Sequence, residues 1–339
     1  MLVDKGFNLY VDVTAACNAS CPFCIAPTVG RKDGLGFIEG LRWALDFTQD
    51  HYGSVQVTGG EPTMSRRLPE VVREIARRAF HRVVLNTNGC GIAKPGTVID
   101  LEAAGFTHVN LSRHHYRKEL NQAIMHIKPD AISENHEFVR AVQLVLQSGM
   151  MARINCNLLA GYIDSAEKMF AFVDWCETFG AFSVAFAETF PLGVFDHQVP
   201  IVPGYAESHT VDLSGIVAEL DSILVPQPNG GSSLMSVWGG SSGWGGVSST
   251  LPTHRRFWKT PSGGQISVKT LAGWNEDGSP KPPSYSRADD PELKDGELYF
   301  AVVHPDGVVT GSWDKRERIL FAPAKTELVS IPLAYVGVR

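Results

Sequence analysis

The sequence predicts an α/β protein: a partial (β/α)6 TIM-like barrel followed by a small β-rich C-terminal extension. Short apolar runs alternate with amphipathic helical segments at intervals of about 30 residues through the first half of the chain. Such alternation is typical of parallel strands joined by right-handed helical crossovers, and six units are fewer than the eight of a closed barrel. Composition then shifts toward glycine, serine and proline. We therefore expect a barrel over residues 1–195 and, over residues 196–339, a C-terminal helix with a β-rich extension that covers the open side of the barrel.

The individual elements follow from hydrophobic periodicity. Apolar and β-branched runs predict the six barrel strands at 8–14, 54–58, 82–86, 108–112, 152–157 and 182–186. Apolar residues at the helical period predict helices at 35–49, 68–80, 98–104, 137–147, 165–178 and 211–224. In the extension, β-like runs lie at 256–259, 265–268 and 298–303. The turn His304-Pro305-Asp306-Gly307 then leads into a hairpin strand at 308–310.

Composition limits the classes of function. The 339 residues are 44% hydrophobic, which is ample for a large core, and the formal net charge of −6 argues against a nucleic-acid partner. No apolar run reaches membrane-spanning length, and the first residues do not read as a secretory signal. Six cysteines, three of them clustered, fit a reducing compartment better than a disulfide scaffold. We therefore expect a cytoplasmic protein that does not bind a membrane.

The most distinctive stretch is a cysteine cluster directly after the first predicted strand. Cys17, Cys21 and Cys24 have C-x3-C-x2-C spacing, and no fourth cysteine follows until Cys90. Thiolates can each hold one iron of a cubic iron–sulfur cluster, so three of them would leave one iron open for chemistry. The alternatives are a zinc site, a disulfide pair or three unrelated buried cysteines. The three thiols lack a nearby fourth ligand for a tetrahedral zinc site, because the first histidine after the cluster is His51.

Polar residues follow the predicted strands at their C-terminal ends, where barrel enzymes place their active sites. The second strand ends in Gly59-Gly60-Glu61-Pro62. Its glycines let a ligand approach the backbone, and its carboxylate can accept hydrogen bonds from an ammonium group. The alternative is a strand-to-helix turn in which the glutamate caps a helix. Further polar residues close the third and fourth strands: Asn86, Asn88 and Ser112.

Two histidines and a tyrosine follow the fourth strand as His114-His115-Tyr116. A double histidine at a strand end can contact substrate or act as an acid–base pair. Helix capping or packing within a loop is the alternative. We keep all three residues as candidate catalytic residues.

Polar residues on the fifth and sixth strands complete the candidate set. Arg153 and Asn155 are two residues apart on a strand and therefore point to one face. An arginine that faces into a barrel is costly unless an anion pairs with it, and a solvent-facing side is the alternative. Glu188 closes the sixth strand. These three residues are candidate cofactor contacts.

The cysteine spacing resembles the signature of the radical S-adenosylmethionine (SAM) superfamily, with Phe23 at its aromatic position. The resemblance implies that Cys17, Cys21 and Cys24 hold one [4Fe–4S] cluster and that the methionine part of SAM chelates the open iron. Reductive cleavage of SAM would then give a 5′-deoxyadenosyl radical. The electron would come from an external one-electron reductant such as flavodoxin or ferredoxin.

The other motifs resemble elements of the same family. Gly59-Gly60-Glu61-Pro62 is similar to the GGEP element that binds the amino group of SAM. The turn that contains Asn86 and Asn88 resembles the TNG element that lies along SAM. Ser112 stands where relatives often carry a serine near the SAM ribose or carboxylate. The SAM carboxylate would be the anion for Arg153.

Most of the chain resembles the GTP cyclase subgroup that makes the molybdopterin precursor. That subgroup binds a second cluster through three C-terminal cysteines, whereas this chain has no cysteine after Cys176. We therefore predict a single cluster and a small polar substrate, such as a nucleotide, a sugar or a natural-product intermediate. Rearrangement, decarboxylation, dehydration and epimerisation remain open as outcomes. The alternatives are a peptide- or RNA-modifying enzyme of the same superfamily and a non-catalytic iron–sulfur module.

Overall fold

The computed structural model describes residues 2–24, 34–50, 53–94, 96–128, 134–189, 202, 204–227, 255–270, 274–275, 277–280, 297–311 and 319–323. The strands are β1 (Leu2–Asp12), β2 (Ser54–Thr58), β3 (Val83–Thr87), β4 (His108–Ser112), β5 (Met151–Leu158), β6 (Ser183–Glu188), β7 (Pro226–Gln227), β8 (Arg255–Lys259), β9 (Gln265–Lys269), β10 (Glu297–Val303), β11 (Val309–Thr310) and β12 (Ile319–Phe321). The helices are α1 (Phe37–Asp50), α2 (Leu68–Ala76), α3 (Thr97–Ala103), α4 (Lys118–Met125), α5 (Asn135–Gln147), α6 (Ala166–Glu177), α7 (Tyr205–Ser208) and α8 (Leu213–Ile223).

The strands form one sheet in the order β12-β11-β10-β1-β2-β3-β4-β5-β6-β9-β8-β7. Eight consecutive strands of the sheet, β10, β1–β6 and β9, run parallel to their neighbours in this set. The strands outside them at each edge pair in an antiparallel manner. The two end strands, β12 and β7, do not pair with each other within the described residues, so the sheet stays open. The predicted partial barrel of alternating strands and helices is confirmed.

The described C-terminal strands join the barrel strands in one sheet. β9 pairs with β6, and β10 pairs with β1, so the C-terminal part lengthens the sheet at both edges. Ile266 and Val268 of β9, and Ala301 and Val303 of β10, are buried in the same core as the barrel strands. Pairing also satisfies backbone groups of β1 and β6 that an unpaired edge would expose.

Helix α4 is an addition to the sequence-based prediction. Its buried face consists of Asn121, Ile124 and Met125, so only two apolar side chains mark it. The Asn121 side-chain oxygen accepts the backbone N–H groups of His114 at 2.9 Å and of His115 at 3.3 Å. The helix is therefore tied to the preceding loop by tertiary hydrogen bonds, which local periodicity does not reveal.

The two faces of the parallel strands differ in polarity. The outer face packs under the helices in the main hydrophobic core, as with Val55, Val57, Val109 and Leu111. The inner face of the same strands carries buried polar side chains: Asn8, Asp12, Gln56, His108, Asn110 and Arg153. Closed barrels of this type fill their interior with branched apolar residues. A polar interior is instead suited to holding a polar ligand.

The turn at His304–Gly307 packs against the start of α1. Arg67 donates hydrogen bonds to the carbonyl oxygens of Pro305 at 2.7 Å and Gly34 at 2.8 Å. A Cβ atom added to Gly40 would overlap the carbonyl oxygen of Gly307. The two backbones therefore approach so closely that only glycine fits at this point of the helix.

We expect Gly40→Ala to lower the free energy of unfolding. The overlap is with backbone atoms of Gly307, so we expect a cost in the upper part of the roughly 1–3 kcal/mol typical of overpacking. That cost outweighs the roughly 1 kcal/mol by which alanine is preferred over glycine inside a helix. Urea denaturation measures the change. Glu39→Ala, an exposed neighbour on the same helix, is the control and should stay within about 0.5 kcal/mol of the parent chain. A Gly40→Ala protein more stable than the parent would contradict this packing.

Candidate functional site

The cysteine loop leaves the C-terminal end of β1 and turns back on itself. The backbone N–H of Cys24 donates to the carbonyl oxygen of Cys21 at 2.9 Å, and the N–H of Ala19 donates to the Cys17 sulfur at 3.3 Å. All six cysteines of the chain are thiols, and Cys17, Cys21 and Cys24 are half-buried. The loop therefore presents three thiols from one tight turn, and the disulfide alternative is not realised.

The environment of these thiols disfavours their charged form. Burial raises the pKa of the Cys17 thiol to about 12, with smaller contributions from the negative charges of Glu61, Cys24 and Cys90. Burial also raises the pKa of Cys21 well above its ordinary value, and Cys24 and Cys17 add to the shift. The three thiols thus lie within electrostatic reach of one another. A metal that binds them would have to displace their protons.

The arrangement differs from that of a single-metal site. Among the described residues, no three histidine, cysteine, aspartate or glutamate side chains are placed to share one metal ion. An iron–sulfur cluster takes one thiolate per iron, so its ligands need not converge on a single point. An arrangement with one thiolate per iron is compatible with the three cysteines of this loop.

The glycine pair after β2 accommodates the chain's own backbone. The N–H of Gly60 donates to the carbonyl oxygen of Thr14 at 2.7 Å, and the N–H of Glu61 donates to that of Ala16 at 2.8 Å. A Cβ atom on Gly60 would overlap the Ala16 oxygen. The glycines therefore fix the segment that leads from β1 into the cysteines.

Glu61 is completely buried, and its carboxylate joins the ends of β2 and β3. One oxygen accepts the Thr63 N–H at 3.1 Å and the hydroxyls of Thr63 and Thr87, both at 2.6 Å. The other oxygen accepts the backbone N–H of Asn88 at 2.7 Å. Burial raises the pKa of the Glu61 carboxyl, while these hydrogen bonds oppose the rise.

The capping alternative for Glu61 is therefore realised, because its side chain caps the short 3-10 turn Pro62–Met64. Its buried negative charge still lies close enough to raise the pKa of Cys17. The structure thus gives Glu61 a structural task beside the cysteine loop. An electrostatic attraction for a nearby ammonium group is compatible with that task.

The turn after β3 supports the cysteine loop from a second side. The Asn88 amide donates to the Asn18 side-chain oxygen at 2.7 Å, and its own oxygen accepts the N–H of Cys90 at 3.1 Å. Asn86 lies deeper on the inner face, where its oxygen accepts from the Asn110 amide at 2.7 Å. Asn88 is therefore next to the cysteines, whereas Asn86 belongs to the polar interior.

The fourth and fifth strands bring three predicted residues together. Ser112, the last residue of β4, and Asn155 within β5 are register partners. Arg153 Nε donates to the Asn155 side-chain oxygen at 3.1 Å. Arg153 is almost completely buried, so the solvent-facing alternative is excluded. Burial lowers its pKa, and the charges of Arg255 and Arg82 lower it further.

His114 contacts the cysteine loop. Its ring packs edge-on against Phe23 with the ring centroids 5.2 Å apart. Its Nδ1 accepts the backbone N–H of Asn157 at 2.9 Å, so the proton of the neutral ring lies on Nε2. Burial, together with the charge of Arg113, lowers the pKa of His114 to about 3. At physiological pH the ring is therefore a neutral hydrogen-bond donor.

The two following candidates belong to the loop itself. His115 Nδ1 accepts the backbone N–H of Arg117 at 2.9 Å, and its ring lies against Tyr116 with centroids 4.5 Å apart. The carbonyl oxygen of Tyr116 accepts from the Asn135 amide at 2.8 Å. These contacts match the loop-packing alternative, and a catalytic role for His115 and Tyr116 stays a prediction.

Glu188 ends β6 and is half-buried. By strand alternation it shares a face with Val184 and Phe186, which belong to the outer hydrophobic core. The inner face of β6 carries Ala185 and Ala187 instead. The position of Glu188 therefore gives less support to a cofactor contact than the positions of Arg153 and Asn155 do.

Two buried cations, Arg255 and Lys269, were outside the sequence-based candidates. They face each other on the antiparallel pair β8–β9. The predicted runs at 256–259 and 265–268 stop one residue short of each. The register of the hairpin could have identified them from the sequence. If Lys259 pairs with Gln265 across the turn, Arg255 lies opposite Lys269.

Comparison with a family model matches residues 11–171 to the Radical SAM superfamily. This stretch is just under half of the chain. It begins in β1, contains the cysteine loop and every candidate residue up to Asn155, and ends in α6.

Curated relatives include several GTP 3′,8-cyclases. A probable GTP 3′,8-cyclase of Metallosphaera sedula is 32% identical over 114 residues, which cover 33% of this chain and 35% of that protein. The GTP 3′,8-cyclase of Paracoccus denitrificans is 26% identical over 213 residues, which cover 61% and 59% of the two chains. The matched regions span between 27% and 59% of the first four relatives' length.

Among solved structures, SuiB of Streptococcus suis is similar with a TM-score of 0.54 and 16% identity, covering 91% of this chain and 60% of that one. SuiB bound to its precursor peptide SuiA gives a TM-score of 0.56 and 15% identity, covering 95% and 62%. At such identities the likeness is one of fold. It extends beyond residues 11–171 into the C-terminal strands.

Proposed function

We propose that this chain, which contains a radical SAM domain over residues 11–171, is an enzyme that uses SAM and one [4Fe–4S] cluster to abstract hydrogen from a small polar substrate. The observation that carries the proposal is the cysteine loop. Three mutually close thiols, at the C-terminal end of β1, are held in place by the polar turns that follow β2 and β3. The family match and the site geometry rest on different properties of the chain and agree.

The residues present fit the cluster. Cys17, Cys21 and Cys24 would hold it, because three thiolates satisfy three irons and leave the fourth for a non-protein ligand. Metal binding would release the protons of these thiols, because only thiolates ligate iron. When bound together, the cluster and SAM supply the chemistry of hydrogen-atom abstraction, which no amino-acid side chain provides.

The residues around the loop fit SAM. We propose that its ammonium group lies beside Gly59-Gly60 and Pro62, where the buried charge of Glu61 attracts it. Asn88 holds the cysteine loop, and Ser112 offers a hydroxyl group at the same barrel mouth. Arg153 and Asn155 are assigned to the SAM carboxylate, and Asn86 and Glu188 remain weaker candidates for cofactor contacts.

Of the two histidines, His114 is the stronger candidate for a role in the reaction. Its fixed tautomer offers a donor at Nε2, and its contact with Phe23 places it beside the cysteine loop. We assign it the role of orienting a bound acceptor group. Its low pKa argues against proton transfer near pH 7.

The substrate is proposed to be a small polar metabolite that occupies the polar interior of the barrel. GTP cyclisation is not proposed, because the chain has no cysteine after Cys176 with which to hold the subgroup's second cluster. A peptide substrate is the second candidate, and the fold shared with SuiB is the observation that favours it. The net charge of −6 disfavours RNA.

The reaction also needs an electron. We propose a flavodoxin or ferredoxin as the external reductant and the cytoplasm as the compartment. The six reduced cysteines are compatible with such a setting. None of the helices in the described part of the chain is long and apolar enough to cross a membrane.

Anaerobic reconstitution tests the proposal. Protein loaded with iron and sulfide is expected to hold about four irons per chain, as a single [4Fe–4S] cluster requires. With SAM and dithionite it should release 5′-deoxyadenosine. A protein that binds iron but never cleaves SAM would favour the non-catalytic module. A protein that binds no iron would refute both readings.

A further inference from the structure

The cysteine loop contains an asparagine, Asn18, whose side-chain orientation is fixed by its neighbours. The backbone N–H of Cys90 donates to Asn88 Oδ1 at 3.1 Å, so the other arm of the Asn88 amide is its NH2 group. Asn88 Nδ2 in turn donates to Asn18 Oδ1 at 2.7 Å. Turning either amide over would set two donors or two acceptors against each other. The NH2 group of Asn18 therefore lies on the arm of its amide that does not contact Asn88.

This NH2 group is buried and has no hydrogen-bond acceptor among the described residues. Asn18 is only 3% exposed, so bulk water does not reach it. A buried donor without an acceptor costs about 1–3 kcal/mol. Holding Asn88 requires only the side-chain oxygen of Asn18, and the main-chain carbonyl oxygen of Asn18 accepts the N–H of Lys128 at 2.9 Å. The described contacts of the fold therefore give the NH2 group no task.

The position of Asn18 points to the missing acceptor. Asn18 directly follows Cys17, and the segment that leads on to Cys21 is held by α4. The Ser20 N–H donates to the carbonyl oxygen of Met125 at 3.0 Å, and the Cys21 thiol lies 3.6 Å from the same oxygen. The side chain of Asn18 is therefore fixed inside the loop that presents the three thiols. The acceptors that a bound cluster brings to this loop are its sulfide and thiolate sulfurs.

We propose that the NH2 group of Asn18 donates a hydrogen bond to a sulfur atom of the bound cluster and thereby raises its reduction potential. Hydrogen bonds to the sulfurs are one of the means by which a protein sets the potential of an iron–sulfur cluster. A cluster with three thiolate ligands is negatively charged, and an added electron makes its sulfurs stronger acceptors. The bond therefore stabilises the reduced form more than the oxidised form. The inference rests on the proposed function, because it concerns the cluster of that same site.

The reduction potential of the reconstituted protein, measured without SAM, tests this bond. Asn18→Leu removes the donor with little change in side-chain volume. At a fixed applied potential, we expect the ratio of reduced to oxidised cluster to be at least fivefold lower than in the parent, which equals about 40 mV for a one-electron couple. EPR spectroscopy during titration with titanium(III) citrate measures the ratio. A smaller fall, or a rise, would overturn the proposal.

Two control variants separate the donor from the packing of the loop. Asn88→Leu breaks the same amide–amide bond but keeps the NH2 group of Asn18, so we expect less than half of the shift in potential. Asn275→Leu changes an exposed asparagine of the C-terminal part of the chain and should leave the potential unchanged. A shift of half or more in either control would overturn the donor role.

Calorimetric titration of SAM identifies the other acceptor that the site could hold. Weaker SAM binding by Asn18→Leu, together with an unchanged potential, would assign the NH2 group to SAM and overturn the bond to the cluster. The same titration with Asn275→Leu is the control.

If Asn18→Leu binds no cluster, pulsed EPR spectroscopy of the reduced parent decides. The protein is produced with asparagine that carries ¹⁵N only in its side-chain amide. We expect a ¹⁵N coupling to the cluster in the parent that persists in Asn88→Leu. Absence of the coupling in the parent, or its loss in Asn88→Leu, would overturn the assignment to Asn18.

This inference and the proposed function can fail separately. A chain whose potential falls in Asn18→Leu but which yields no 5′-deoxyadenosine would refute the proposed function and keep the bond to the cluster. A chain that cleaves SAM but keeps its potential in Asn18→Leu would do the reverse. A parent chain that binds no iron would refute both.

Discussion

Cys21→Ala is expected to abolish cluster binding and, with it, all formation of 5′-deoxyadenosine. Two remaining thiolates cannot hold three irons, and the Cys21 position lies inside the tight turn that also contains Cys24. Iron content and the visible absorption of the reconstituted protein measure the first effect. Chromatography of the SAM reaction measures the second. Cys17→Ala and Cys24→Ala should behave in the same way.

The controls for this prediction are the cysteines outside the loop. Cys176→Ala changes a buried thiol of α6 and should leave the cluster spectrum unchanged. Cys90→Ala is the more demanding control, because Cys90 lies close enough to influence the pKa of Cys17. An unchanged spectrum for Cys90→Ala would establish that Cys90 is not a ligand. Loss of the cluster in that variant would contradict the three-cysteine assignment.

Glu61→Gln is expected to destabilise the protein and to weaken SAM binding. Each carboxylate oxygen of Glu61 accepts a backbone N–H, one from Thr63 and one from Asn88. A glutamine has only one oxygen, so its NH2 group must face one of those N–H groups. A buried donor without an acceptor costs about 1–3 kcal/mol, and the substitution also removes the negative charge proposed to attract the SAM ammonium. Urea denaturation and calorimetric titration of SAM into the cluster-loaded protein measure the two effects.

Glu102→Gln serves as the control, since Glu102 is exposed at the end of α3 and should change neither property. The two readouts separate the roles of Glu61. Lower stability with unchanged SAM affinity would leave Glu61 a purely structural residue. Unchanged stability would contradict the hydrogen-bond network itself.

The barrel could be predicted because local patterns coincide with tertiary ones. Strands such as β2 and β4 are buried on both faces or nearly so, and their short apolar runs match the observed bounds, Ser54–Thr58 and His108–Ser112. The edge positions of β9 and β10 could not be predicted, because the neighbour of a strand depends on contacts far apart in sequence. Helix α4 was missed for a similar reason, since its amide contacts to the His114–His115 backbone lie outside any hydrophobic period.

The residues of the candidate site could be predicted from the sequence, but the contacts that they make could be predicted less well. The spacing of the cysteines identified the loop, and alternation on β5 identified the inward face of Arg153. The sequence did not reveal that the Ala16 carbonyl packs directly against Gly60. Nor did it reveal that the Glu61 carboxylate accepts hydrogen bonds from Thr63, Thr87 and Asn88. Such contacts arise where separate strand ends meet, and no single segment encodes them.

The pairing of β1 with β10 bears on how the protein assembles during synthesis. Leu9 and Ala301 are neighbours in the sheet, although almost the entire chain separates them. The ribosome must therefore release the chain through β10 before one side of β1 gains its partner in the sheet. Until then, the strand that leads into the cysteine loop has an open edge, which is the kind of surface on which nascent chains associate wrongly.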